Sequence, residues 1–200
     1  MKSARIAVLV SGGGTNLQAL IDAEHKGILK SGKIELVISN KDGAYALERA
    51  ASANIKTEVV RKKDFPGKGN FEAELIRILE KEKIDIIVLA GFMVILDESF
   101  TSHYPKRIIN VHPSLIPSFC GEGFYGLRVH EAALEYGVKV TGATVHFVNE
   151  IPDGGEIIMQ KAVAIREDDT PESLQKRVMR LAEWKILPLA VEKVCADLQK

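Results

Sequence analysis

The sequence predicts an α/β fold: a Rossmann-like, doubly wound, mainly parallel sheet with an antiparallel edge strand and a long C-terminal helix. Three observations predict it. Short apolar runs alternate with helix-patterned segments, the βαβα rhythm of a parallel sheet covered on both faces. Ile84–Ala90 (IDIIVLA) is almost wholly apolar, as a strand buried on both faces must be. Ser11–Asn16 (SGGGTN) sets consecutive glycines between an apolar run and a helical one, a tight strand-to-helix connection.

Taken in order, Arg5–Val10 (RIAVLV) is the first strand. Thr15–His25 spaces Leu17, Leu20 and Ile21 for one helix face. Ile34–Ser39 is the second strand, alanine-rich Ala44–Ala53 the second helix, and Lys56–Val60 a shorter third strand. Phe71–Lys83 gathers Phe71, Leu75, Ile78 and Leu79 on one face, an amphipathic helix. Ile84–Ala90 and Arg107–Val111 are the fourth and fifth strands, and Leu127–Tyr136 is helical. Lys139–Val148 (KVTGATVHFV) alternates like a strand, and Glu156–Ile165 follows after a turn at Pro152–Gly155. Those two are expected to pair antiparallel at the sheet's edge. Thr170 and Pro171 open the last helix as N-cap and first-turn proline, and Pro188 should kink or end it.

A chain of 200 residues suits one domain and buries roughly 70% of the surface its unfolded form exposes. Lys plus Arg and Asp plus Glu each total 27, so the formal net charge is zero. That argues against nucleic-acid or membrane-surface partners held by bulk charge, and leaves room for a local anion site. No apolar stretch approaches the ~20 residues of a membrane span, and the opening apolar run is too short for a signal peptide. Cys120 and Cys195 lack CxxC or metal spacing and read as reduced thiols. The expectation is a cytoplasmic protein with small-molecule substrates, no nucleic-acid or membrane partner, and a monomeric or homodimeric state.

Three segments carry chemistry. In Ser11–Asn16, glycines let a ligand approach the backbone, and the helix start offers free N–H groups to a phosphate or other anion. The dinucleotide fingerprint fails, because Leu17 stands where a third small residue belongs and the second strand ends at Asn40 rather than an acid. No GK[ST] follows, so it is no P-loop. The second segment, NVHPSLIPS, sets Asn110 and His112 where an apolar strand ends. In an open α/β sheet that end borders the ligand crevice, as do the ends of strand one and of strand four at Gly91-Phe92-Met93. Either Asn110 caps a loop and His112 is a satisfied core histidine, or both serve a developing oxyanion. Pro113 and Pro117 stiffen the loop that follows. The third segment, Ile151–Glu156 (IPDGGE), is an ordinary hairpin connection unless Asp153 faces His112, where a carboxylate would raise the imidazole pKa and relay protons. His146 lies opposite Val145 and Phe147 on its strand and carries less weight. His25, His103 and His130 read as helix-surface residues. No set of His, Cys, Asp and Glu has zinc spacing.

SGGGTNLQAL, LAGFM, INVHPSLIP, TGATVHFV, PDGGEII and EWKILPL occur in this order over essentially the full length. Together they resemble the phosphoribosylglycinamide formyltransferases, a folate-dependent formyltransferase family. The resemblance implies a single formyltransferase domain over 1–200, with a phosphate-binding half at 1–110 and a catalytic and folate-binding half at 111–200. It implies that an amine attacks the formyl carbon of 10-formyltetrahydrofolate, the cosubstrate, without a metal. Asn110 and protonated His112 would stabilise the oxyanion, and Asp153 would keep His112 protonated and help move the proton. Gly13, Gly14, Thr15 and Asn16 would hold the substrate phosphate and Glu183 its sugar. Met93, Val94, Ile95 and Leu96 would line the folate, with Asn149, Glu150, Ile151, Pro152 and Asn110 on the other side. Val94 stands where the family often has arginine, Lys68 replaces a folate-side arginine, and the loop Cys120–Gly126 is longer than in many members. Recognition of the folate's glutamyl tail is then expected to fall to Lys68 or other basic residues.

Three other readings compete. Methionyl-tRNA formyltransferases share the trio but add an RNA-binding domain for which this chain is expected to have no room. Formyltetrahydrofolate deformylases carry a second histidine at the position of Pro113 and an N-terminal regulatory domain, which is not expected before a strand that starts at Arg5. A non-catalytic nucleotide-binding module would keep SGGGTN but need neither His112 nor Asp153.

Overall fold

The architecture rests on one seven-stranded sheet in a computed structural model that describes residues 3–200. Its strands are β1 (Ala4–Val10), β2 (Gly32–Ser39), β3 (Lys56–Val59), β4 (Ile86–Leu89), β5 (Ile108–His112), β6 (Val140–Phe147) and β7 (Ile157–Ala164). Their order is β3-β2-β1-β4-β5-β6-β7. β1 pairs parallel with β2 and β4, β2 with β3, and β4 with β5. β6 runs antiparallel to both β5 and β7, which forms the expected edge pair. The helices are α1 (Thr15–His25), α2 (Tyr45–Ser52), α3 (Asn70–Lys81), α4 (Glu98–His103), α5 (Leu127–Tyr136), α6 (Pro171–Val178) and α7 (Trp184–Asp197).

Strand alternation splits the core between the two faces. Ile6, Val8 and Val10 join α1 and α7 in one cluster, with Leu17, Leu20 and Val191. Ala7 and Leu9 join α3 in the other, with Phe71, Leu75 and Leu79. Because the chain winds outward from β1 in one direction and from β4 in the other, the crevice opens between the carboxyl ends of these two strands. Ser11–Asn16 follows β1 and Gly91–Leu96 follows β4, so the topology brings both segments to one place.

Each expected strand and helix is present, with ends shifted by two residues or fewer where both ends were expected. Three features differ. α4 was not expected: it is one short turn-and-a-half, started by Asp97, whose side chain accepts the Phe100 N–H at 3.2 Å. The last helix does begin at Thr170–Pro171, with a capping box shared by Thr170 and Ser173. It does not end at Pro188, which lies buried within α7. The irregularity sits one turn earlier, in a π segment at Met179–Glu183. His130 is not on the surface. It faces inward beside Val129 and Ala133, and neither ring nitrogen has a hydrogen-bond partner. Burial and the neighbouring His112 push its pKa down to about 4.

Gly14 sets how closely α1 meets α2. It caps α1 in the left-handed conformation (φ 70°), and a Cβ there would lie 2.6 Å from Ala46 Cβ. Gly14→Ala is therefore expected to destabilise the protein by about 2 kcal/mol or more. Urea unfolding measures this; a loss under about 0.5 kcal/mol, the scale of a neutral surface change, would contradict the close approach.

Candidate active site

Asn110 and His112 are two apart on β5, so both side chains leave the same face of the sheet. The β5–β6 register sets His146 opposite Asn110 and Thr144 opposite His112. β6 therefore runs away from His112, and the turn after it must fold back over the sheet face to return Asp153. Two glycines make that possible. The Gly154 N–H closes a tight turn onto the Ile151 carbonyl, and Gly155 packs so closely that a Cβ would sit 1.8 Å from the Phe147 carbonyl oxygen. Asp153 itself takes a left-handed φ of 55°, a conformation Asp tolerates better than most residues.

The result is one largely covered carboxylate among several partners. Asp153 Oδ2 lies 3.3 Å from His112 Nδ1 and accepts the Gly121 N–H at 2.9 Å. Its Oδ1 lies 3.5 Å from His146 Nε2 and accepts from Asn110 Nδ2 at 3.4 Å. His146 Nε2 is also 3.2 Å from Asn110 Nδ2, and His146 Nδ1 is 2.8 Å from the Phe147 carbonyl, which fixes the ring. Burial works to raise the Asp153 pKa, but His146, His112 and the Gly121 N–H outweigh it and hold the carboxyl below its ordinary value. Asp153 is thus ionised at neutral pH.

His112 differs from expectation. Burial holds its pKa below the ordinary imidazole value, and the opposing pull of Asp153 and of the Phe119 carbonyl does not overcome that. His112 Nε2 is already engaged, 2.8 Å from the Phe119 carbonyl. The segment after β5 therefore closes over the trio through two backbone groups, Phe119 C=O and Gly121 N–H. Its base is bolted to β6. The Thr144 hydroxyl donates to the Ser114 carbonyl at 2.7 Å and accepts the Ile116 N–H at 3.0 Å, and Gln160 bonds the Thr144 hydroxyl and the Ile116 carbonyl. Beyond it, Gly121 and Gly123 take φ near 88° and 87° in an exposed tip.

The glycine turn after β1 is held by its carbonyls. Gly12 C=O accepts the Ala46 N–H at 3.1 Å and Gly13 C=O accepts Arg49 Nε at 2.8 Å. The first bond of α1 is Gln18 N–H to Gly14 C=O, so the N–H groups of Thr15, Asn16 and Leu17 are the unpaired donors of the helix start. Asn16 reaches the π segment, donating from Nδ2 to Glu183 Oε2 at 2.8 Å, while its own Oδ1 is buried without a partner. Burial raises the Glu183 pKa to about 7, with the Asn16 bond opposing. The pair offers a carboxyl and a spare amide acceptor, a set that suits a ligand hydroxyl.

The residues expected at the folate are more dispersed. Met93 and Ile95 are open to solvent, 54% and 71% exposed, as is Ile151 in the turn before Asp153. Val94 and Leu96 pack into the core cluster, Leu96 the more buried of the two. Lys68 is exposed near Asp97. Asn149 Oδ1 accepts the Ile151 N–H at 3.1 Å, and Glu150 and Pro152 are exposed. His146 is the residue that sequence reasoning underweighted. Alternation along β6 sets its face, but only the register with Asn110 reveals its place.

A family profile described as formyl transferase matches residues 4–191. The phosphoribosylglycinamide formyltransferase of Haemophilus influenzae is 43% identical over 188 residues, covering 94% of this chain and 85% of that protein. The human trifunctional purine biosynthetic protein adenosine-3 is 46% identical over 195 residues, covering 98% of this chain. The chain spans only 19% of the length of that relative. Among solved structures, glycinamide ribonucleotide transformylase 1 from Symbiobacterium toebii superposes with a TM-score of 0.91 at 39% identity, covering 98% of this chain and 89% of that one.

The buried Glu183 makes stability depend on pH. Its folded pKa of about 7 lies above the ordinary 4.5, so the fold favours the neutral acid. That contribution is complete below about 4.5 and is lost as pH rises through 7, a fall of about 3 kcal/mol. Glu183→Gln should remove the fall: against the parent, the variant should gain stability from pH 5 to pH 8 in urea unfolding. Equal pH slopes for the two proteins would contradict the buried-acid assignment.

Proposed function

Because the chain belongs to the formyl transferase family, we propose that it moves the formyl group of 10-formyltetrahydrofolate to the amine of phosphoribosylglycinamide, a step of purine biosynthesis. The observation that carries the reading is the meeting of Asp153 with His112 at 3.3 Å, beside Asn110 on the same sheet face. A binding module would need no such buried carboxylate–imidazole pair. The similarity to the Haemophilus influenzae phosphoribosylglycinamide formyltransferase, which extends over most of both chains, supports the same substrates.

In this reading, Asn110 donates its amide hydrogen to the formyl oxygen as the amine adds and that oxygen gains charge. His112, neutral at rest, takes the proton the attacking amine sheds. The imidazolium so formed faces the ionised Asp153, stabilises the oxyanion, and returns the proton to the leaving folate nitrogen as the carbon–nitrogen bond breaks. The Phe119 carbonyl must first withdraw from His112 Nε2, since it occupies the position the oxyanion needs. No metal ion takes part. Gly13, Gly14, Thr15 and Asn16 hold the substrate phosphate, and Asn16 and Glu183 receive its sugar hydroxyls. Met93–Leu96, Asn110 and the backbone of Asn149–Pro152 border the folate, with Lys68 toward its glutamyl tail. Residues 1–110 thus supply most of the phosphate site and 111–200 the proton-transfer machinery. The reading places the protein in the cytoplasm, as a monomer or homodimer.

The direct test is a formyl-transfer assay with and without the ribonucleotide. Turnover that requires phosphoribosylglycinamide is expected, and turnover without it would mean hydrolysis instead. His112→Ala should lower kcat about 10²- to 10⁴-fold while ribonucleotide affinity stays within about threefold. Undiminished turnover in that variant would remove the imidazole from the mechanism.

A further inference from the structure

Ser11 is the last residue before the glycine turn. It is buried, and its hydroxyl oxygen accepts the Met93 backbone N–H at 2.8 Å across 82 positions of sequence. That bond is singular in its neighbourhood. Upstream, the Ala90 N–H bonds the Leu9 carbonyl, and downstream the chain is caught again at Asp97, which caps α4. Between these points, among the described residues, Met93 N–H to Ser11 is the only hydrogen bond made by the segment. The side chains do little to replace it. Met93 and Ile95 stand in solvent, and Leu96 is the one fully packed anchor. Gly91, at φ 73°, begins the segment with a freely turning backbone.

We propose that Ser11 is a positioning residue that ties the Met93–Leu96 segment to the carboxyl end of β1, and so fixes the cosubstrate wall relative to the phosphate turn. The inference rests on the functional reading above, which puts folate against Met93–Leu96. Ser11 precedes the first residue of the phosphate turn, so the two substrate sites share one strand end as their common reference. The donor is a backbone N–H, so the side chain of residue 93 does not matter to the tether. What matters is an acceptor at position 11 on a stem short enough to reach. Alanine lacks the acceptor, and threonine keeps it at the same reach.

The test compares Ser11→Ala and Ser11→Thr with the parent chain. In Ser11→Ala, the KM for 10-formyltetrahydrofolate should rise about 5- to 30-fold, the scale of one unsatisfied amide in a segment that can partly relax. The KM for phosphoribosylglycinamide should change less than about twofold, and kcat at saturation should fall less than KM rises. Ser11→Thr should recover most of the loss. Amide hydrogen exchange of the ligand-free protein gives a readout independent of activity: protection at Met93 should be lost in Ser11→Ala and kept in Ser11→Thr. Unchanged protection, or an unchanged folate KM, would overturn the tether. Equal loss in both KM values and kcat, together with a lower Tm in both variants, would make Ser11 merely structural and overturn it as well. If the parent chain itself shows no formyl transfer while the Met93 protection behaves as described, the functional reading fails and the tether stands as a feature of the fold.

Discussion

The site depends on one buried carboxylate. Asp153 gathers His112, His146, Asn110 and the Gly121 N–H around two oxygens, drawing them from β5, β6 and the segment after β5. Leaving such a charge unpaired would be costly, so its partners are not optional. They define where the β6–β7 turn lies over the sheet, how the His146 ring is set, and where the segment after β5 comes to rest. The Gly154–Gly155 pair follows from the same constraint. A turn that must return over the sheet face, with the Phe147 carbonyl pressed against Gly155, has no room for a side chain there.

A second buried carboxyl shows the opposite outcome. Glu183 has one donor, Asn16, and burial raises its pKa to about 7. Asp153 has several donors and stays ionised despite its burial. The surroundings thus shift the two acids in opposite directions, Glu183 up and Asp153 down. The two lie on different elements. The π segment places Glu183, and the hairpin turn places Asp153.

Much of this was legible in the sequence. Period-two and helical patterns marked the strands and helices, because each buries a single face or both. The Gly13–Asn16 turn and the Asn110–His112 spacing sat at strand ends, where an open sheet binds ligands. What was hidden required register or long-range contact. His146 gained meaning only when paired opposite Asn110. His130 lies between Val129 and the charged Glu131 on α5, and only the packing of that helix shows that it is buried. The lowered His112 pKa follows from its burial in the folded chain, which a position at a strand end does not reveal. Pro188 pointed to a helix break, and tertiary packing of α7 overrode it.

The most direct test of the carboxylate's central place is a pH titration of His112 by ring-nitrogen NMR in the parent protein and in Asp153→Asn. In the parent, His112 should titrate below the ordinary imidazole value of about 6.5, because burial prevails. In the variant, His112 should titrate lower still, because the charge that opposes burial is gone. A His112 titration that is the same in both proteins would contradict the account, since Asp153 would then not be the group that supports the imidazolium.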